Sequence, residues 1–145
     1  FQRAGHELRS GSTYGGHTLA CAATLANLGE IESGGLVENA RRRGEYLWKK
    51  LEGLGRHKIV GHVSGIGLLQ ALFLVAENSK NTPLDPDLKV GNFIRDYCYR
   101  NGMIMRNNGD ILVMAPALII TEEQIDEAIG ILGKALAAAV KHFKL

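Results

Sequence analysis

The chain has 145 residues, 46% of them hydrophobic and 22% charged, the composition of an ordinary soluble globular domain with a core of its own. Seventeen basic against fifteen acidic side chains leave a net charge of +2, too small an excess to argue for nucleic acid. No apolar run reaches membrane-spanning length and no signal peptide opens the chain, so neither a membrane nor a secretory route is expected.

The chain begins Phe1-Gln2-Arg3 without an initiator Met, and it is expected to be a piece of something longer. Residues 1–10 are polar and read as the end of a connection. The glycine-rich loop Gly11-Ser12-Thr13-Tyr14-Gly15-Gly16-His17 follows and feeds a helix predicted over 17–31. Glycines let the backbone approach a ligand, Ser12 and Thr13 add hydroxyls, and a helix N-terminus offers free N–H groups. That combination suits a phosphate, but an ordinary loop and N-cap would use the same residues. The helix is rich in alanine and breaks at Ser33-Gly34-Gly35.

A second helix is predicted over 36–54, with Leu36, Ala40, Leu47, Leu51 and Leu54 on one face and Val37 and Trp48 beside it. Its other face is charged, and the basic run Arg41-Arg42-Arg43 is balanced by Glu38 and Glu45. Strands are predicted over 58–63 and 68–76, forming a hairpin about Ser64-Gly65-Ile66-Gly67. Residues 78–87 hold two of the three prolines and read as an exposed loop. A third helix over 87–100 carries the stripe Val90, Phe93, Ile94, Tyr97 and Cys98. Short strands over 103–106 and 111–114 flank the turn Asn107-Asn108-Gly109-Asp110. The last helix starts at Thr121, where Thr121 and Gln124 fit a capping box and Ile120 and Ile125 a hydrophobic staple. The order αα, ββ, α, ββ, α predicts an α+β fold, a small, mostly antiparallel sheet with helices packed against one side. The first helix is the misfit, because its glycine-rich entrance is built for something outside this core.

Little in the chain reads as a nucleophile or a metal site. There is no P-loop, and Gly65-Ile66-Gly67 lacks the third glycine and the helix of a dinucleotide fingerprint. His6, His17, His57, His62 and His142 make no metal pair, and His57 and His62 are expected on opposite faces of one strand. His17 fits a loop-fixing hydrogen-bonder better than a general base. Cys21 and Cys98 lie among apolar neighbours and are expected to be buried free thiols of a reducing, cytoplasmic compartment. The lysines sit in loops, near helix ends or on polar faces, in no context that would depress a pKa. Arg106 follows the apolar Met103-Ile104-Met105 and precedes a tight turn. Held there, its planar fork suits a carboxylate, although a surface arginine beside a turn would look the same.

These stretches resemble the class III (omega) aminotransferases, fold-type I enzymes dependent on pyridoxal 5'-phosphate. The resemblance is carried by Gly11 to His17 with Ala20-Cys21-Ala22-Ala23, and by Val63-Ser64-Gly65-Ile66-Gly67-Leu68-Leu69-Gln70-Ala71. It continues through Met105-Arg106-Asn107-Asn108-Gly109-Asp110, Ala115-Pro116-Ala117-Leu118 and Thr121-Glu122-Glu123-Gln124-Ile125-Asp126, in family order. The block around Arg106 is most similar to the omega-amino acid:pyruvate and amine:pyruvate enzymes. Thr18 and Ala117 stand where family members often carry Pro, and Gly15 replaces a common Ser.

The resemblance implies that residues 1–32 end a large domain and 33–145 form the C-terminal small domain. It implies that Thr13, assisted by the backbone at Ser12, binds the cofactor phosphate of the other subunit in a homodimer, and that Arg106 binds a substrate carboxylate. The implied substrates are an omega-amino acid or amine and a keto acid such as pyruvate. The family's cofactor-bearing lysine and its aspartate for the pyridine nitrogen match nothing here, so the chain alone is expected to be inactive and to hold no catalytic residue. Two other readings are a non-catalytic α+β module that binds a phosphorylated ligand or a protein partner, and an aminomutase or diamine-type transaminase.

Overall fold

The computed structural model of the protein describes residues 11–76 and 82–145. The predicted connection over 1–10 and the start of the proline-containing loop, 78–81, lie outside the described residues. The chain divides into two compact units, Phe1–Leu36 and Val37–Leu145.

The first unit holds the glycine loop and helix α1, Thr18–Ser33. Two hydrogen-bonded turns make the loop, Gly15 N–H donating to Ser12 O (3.0 Å) and His17 N–H to Tyr14 O (3.1 Å). Gly16 takes φ +77°, which only glycine adopts cheaply. The cap of α1 is His17, whose Nδ1 accepts from Ala20 N–H at 3.3 Å. No residue of α1 is buried, and Cys21 is exposed, which corrects its expected burial. The reason is visible in the pattern: apolar residues lie all around α1, so no one face of it is a core face.

The second unit is two layers. Helix α2 (Leu36–Glu52) ends in a 3₁₀ turn, Gly53–Arg56, and leads into strands β1 (Val60–Ile66) and β2 (Leu69–Leu74). After a second 3₁₀ turn, Pro86–Leu88, come α3 (Val90–Arg100), β3 (Arg106–Asn108), β4 (Ile111–Met114) and α4 (Glu122–Phe143). The sheet order is β1-β2-β4-β3, antiparallel throughout. One core joins Leu47 and Leu51 of α2, Leu72 and Leu112 of the sheet, Ile94 and Cys98 of α3, and Leu132 and Leu136 of α4. The helices thus cover one sheet face, as the pattern predicted.

The deviations have local causes. β1 begins at Val60, not at residue 58, because residues 57–60 make a turn in which Val60 N–H donates to His57 O (2.9 Å); His57 and His62 therefore do not share a strand. β1 runs on through Ile66, and the hairpin turns at Gly67 (φ +52°) rather than over Ser64 to Gly67. α3 starts at Val90 instead of 87, since Lys89 takes the left-handed conformation (φ 54°) and separates it from the Pro86 turn. Val37 is exposed rather than beside the core.

Helix α4 forms as read: Thr121 accepts from Gln124 N–H (3.3 Å), Gln124 Oε1 accepts from Thr121 N–H (3.0 Å), and Ile120 and Ile125 both join the core. Its last turn carries Lys141, whose positive charge is favourable to the helix dipole.

A buried amide fixes the approach of α2 to the first hairpin. Gln70 is 2% exposed, and its Nε2 donates to Gly44 O (2.7 Å) and Gly67 O (2.6 Å). Gly44 is obligatory there, because a Cβ would lie 2.4 Å from Gly67 O.

Candidate functional site

The predicted site residues fall in two places, Ser12 and Thr13 in the first unit and Arg106 in the second.

Ser12 and Thr13 are both exposed, and among the described residues neither hydroxyl has a hydrogen-bond partner. Neither serves as the helix cap, since His17 has that role. Ser12 instead closes the first turn with its backbone carbonyl, which leaves two unengaged hydroxyls on a glycine-supported bend ahead of a helix. By donor chemistry such a set fits a phosphate, which two O–H groups and the positively polarised start of a helix would favour.

Arg106 is the first residue of β3, not the last residue of a strand over 103–106. The two-residue turn Gly109-Asp110 is tighter than the predicted turn of four. It sets a register in which Arg106 already pairs with Val113 and Asn108 with Ile111, so Met103, Ile104 and Met105 precede the ladder. The row Ser64, Ala71, Val113, Arg106 crosses all four strands. Its neighbour Asn107 pairs with the fully buried Leu112, so Asn107 faces the helices and Arg106 the open side of the sheet.

Arg106 lines a cavity of about 540 Å³ whose other walls include Leu69, Ile104, Met105, Val113 and Pro116. Those walls are apolar, and among the described residues Arg106 has no ion-pair partner. A guanidinium so placed presents a planar donor pair beside an apolar surface, the arrangement that receives a carboxylate attached to a hydrocarbon or methyl group.

The surrounding frame is tied by polar contacts that the sequence did not announce. Asn39 of α2 donates to Leu118 O (2.6 Å) and fixes the segment between β4 and α4. Lys50 and Tyr46 of α2 both reach Asp126 of α4, at 2.7 Å and 3.0 Å, and the Lys50 ammonium holds that carboxyl below the usual range. Arg43 pairs with Glu122 in the first turn of α4. Asn107, Asn92 and Asp110 join β3 and the turn after it to α3. Only the turn character of Asn107 to Asp110 was legible beforehand, not their contacts with α3. Among the described residues, no three His, Cys, Asp or Glu side chains gather as a metal site would need, and no helix is long and apolar enough to cross a membrane.

The chain is similar to known proteins over nearly all of its length. It is 39% identical over 140 residues to the putrescine–pyruvate aminotransferase of Pseudomonas aeruginosa, covering 94% of this chain and 30% of that protein. It is 40% identical over 123 residues to the diaminobutyrate–2-oxoglutarate transaminase of Halomonas elongata, covering 83% of this chain and 26% of that one. Among solved structures, the (S)-enantioselective omega-transaminase of Thermomicrobium roseum superposes with a TM-score of 0.85 at 34% identity, over 94% of this chain and 31% of that one. The chain therefore spans less than a third of the length of these relatives. The class III aminotransferase family model matches residues 2–136. The chain belongs to the class III aminotransferases, a family of pyridoxal 5'-phosphate enzymes.

Proposed function

We propose that the complete protein transfers an amino group from an omega-amino acid or amine to a keto acid such as pyruvate, with pyridoxal 5'-phosphate as cofactor. In this reading residues 1–32 end the large domain and 33–145 are the C-terminal small domain. The first-named relative takes pyruvate as acceptor by its name, which supports that choice. The relatives' names differ in the donor, and putrescine carries no carboxylate. Arg106 suits either kind of donor, because the keto acid brings a carboxylate in its own half-reaction.

The single observation that carries the reading is Arg106, unpaired among the described residues and set in an apolar cavity. When bound, the cofactor supplies the electron sink for the bonds broken at the amino-bearing carbon. This chain's residues supply position. Thr13 donates its hydroxyl proton to a phosphate oxygen, with the backbone at Ser12 shaping the bend, and in the proposed homodimer that cofactor is the neighbouring subunit's. Arg106 grips the keto acid by two parallel hydrogen bonds and fixes which end enters. The apolar wall accepts the methyl or alkyl portion and keeps water from it. When a carboxylate-free amine enters, the exposed arginine side chain swings aside.

The chain by itself is expected to be inactive, since nothing in it matches the family's cofactor-bearing lysine. A cytoplasmic location belongs to the same reading. The test is Thr13→Ala in the complete enzyme. Cofactor retention measured by dialysis and absorbance should weaken by about 1–3 kcal/mol, the worth of a charge-assisted hydrogen bond. Unchanged affinity would remove Thr13 from the site.

A further inference from the structure

We propose that Asn107 is a positioning residue for Arg106, holding the root of the arginine while its tip stays free to move. The inference rests on the reading of Arg106 as the carboxylate clamp.

β3 is three residues long and lies at the edge of the sheet, hydrogen-bonded on one side only, to β4. Such a strand is easily displaced, yet a carboxylate clamp tolerates little misplacement. The side chain of Asn107 supplies what the ladder lacks. Its Nδ2 donates to Asn92 Oδ1 of α3 (2.8 Å) and to Gly109 O in the turn (2.8 Å). Its Oδ1 accepts from Arg95 Nη1 at 3.4 Å. Both ends of the amide are therefore engaged, and the engagement spans strand, turn and helix.

The seat is close as well as polar. Gly91 N–H, in the first turn of α3, donates to Asp110 Oδ1 at 3.0 Å. A Cβ on Gly91 would lie 2.1 Å from Gly109 O, so the helix and the turn touch with no room for a side chain. Because adjacent strand residues face opposite ways, fixing Asn107 on the helix side fixes Arg106 on the open side. None of these contacts reaches the guanidinium, which keeps the freedom that two unlike substrates require.

The test uses the complete enzyme in four forms, Asn107→Ala, Arg106→Ala, the double variant and Asn92→Ala. Steady-state constants are measured for pyruvate and for a primary alkylamine without a carboxylate. Asn107→Ala is expected to raise KM for pyruvate about tenfold, leave the amine KM within about twofold, and add nothing in the Arg106→Ala background. Amide hydrogen exchange at residues 106–108 should speed up in the same variant. Equal losses for both substrates, or the full effect persisting without Arg106, would overturn the positioning role and leave Asn107 a structural tie. An Arg106→Ala enzyme with an unchanged pyruvate KM would instead defeat the clamp reading itself, and this inference with it. If Asn107→Ala does not fold, Asn92→Ala removes one acceptor only and must show the same split at smaller size; loss on both substrates would overturn the proposal.

Discussion

Helices α1 and α4 are both rich in alanine and larger aliphatic residues, yet α4 buries Ile125, Leu132, Ala135, Leu136 and Ala139 while α1 buries nothing. The difference lies in arrangement. In α4 the apolar residues recur at three, four and seven positions and make one stripe, with charges opposite. In α1 they ring the helix, and Leu19 and Leu25 are each more than 70% exposed. A helix apolar on every side has no single partner face to seek within its own unit. What α1 lacks is enclosure, whereas α4 finds it against α2, α3 and the sheet of its own unit.

This contrast is breakable by substitution. The largest effect is expected at Leu136, which has no exposed surface. Leu136→Ala should cost about 2–5 kcal/mol in urea unfolding, from lost burial and the cavity left behind. Leu25→Ala in α1 should change the same transition of the 145-residue chain by less than about 0.5 kcal/mol. A similar cost at both positions would erase the distinction. Gly44→Ala comes next, at about 1–3 kcal/mol, because the new methyl would be driven into the Gly67 carbonyl.

The gentlest probe is thiol chemistry. Cys21 is exposed and should react with a thiol reagent in the folded chain, while Cys98 should react only on unfolding. Burial pushes the Cys98 thiol up to about 11 from an ordinary value of 9.0. The unfolded chain then loses its proton first, so this group's contribution to stability is intact below about pH 9 and falls as pH rises toward 11. Fast labelling of Cys98 in the native state at neutral pH would show that the core opens far more readily than its packing implies.

The parts legible in the sequence were those written in local rules. The capping box at Thr121, the staple of Ile120 and Ile125, and the stripe of α3 all formed as their spacing required. Strand ends were less legible, because they depend on partners. Arg106 was placed at the end of a strand and in fact begins one, since the turn sets where pairing starts. The cap at His17 was hidden by Ser12 and Thr13, better cap formers on average but one turn too early. Cys21 was expected to be buried from its apolar neighbours, which report composition and not which side of a helix has company. Of the candidate site, the residue types were legible. The seat of Asn107 against α3 was not, because it joins segments fifteen residues apart through side chains that read as a simple turn.

The order of the sheet has a consequence for the chain while it is still finding its partners. β1 and β3 lie at its two edges, where unpaired backbone invites a strand from another molecule. β3 offers only three residues, and the register of β1 slips between Val60 and His62. A short edge and an interrupted one are both poor templates for intermolecular pairing. The long hydrophobic run of β2 lies between neighbours on both sides. The segment most prone to aggregate is thus protected as soon as its two antiparallel partners zip onto it.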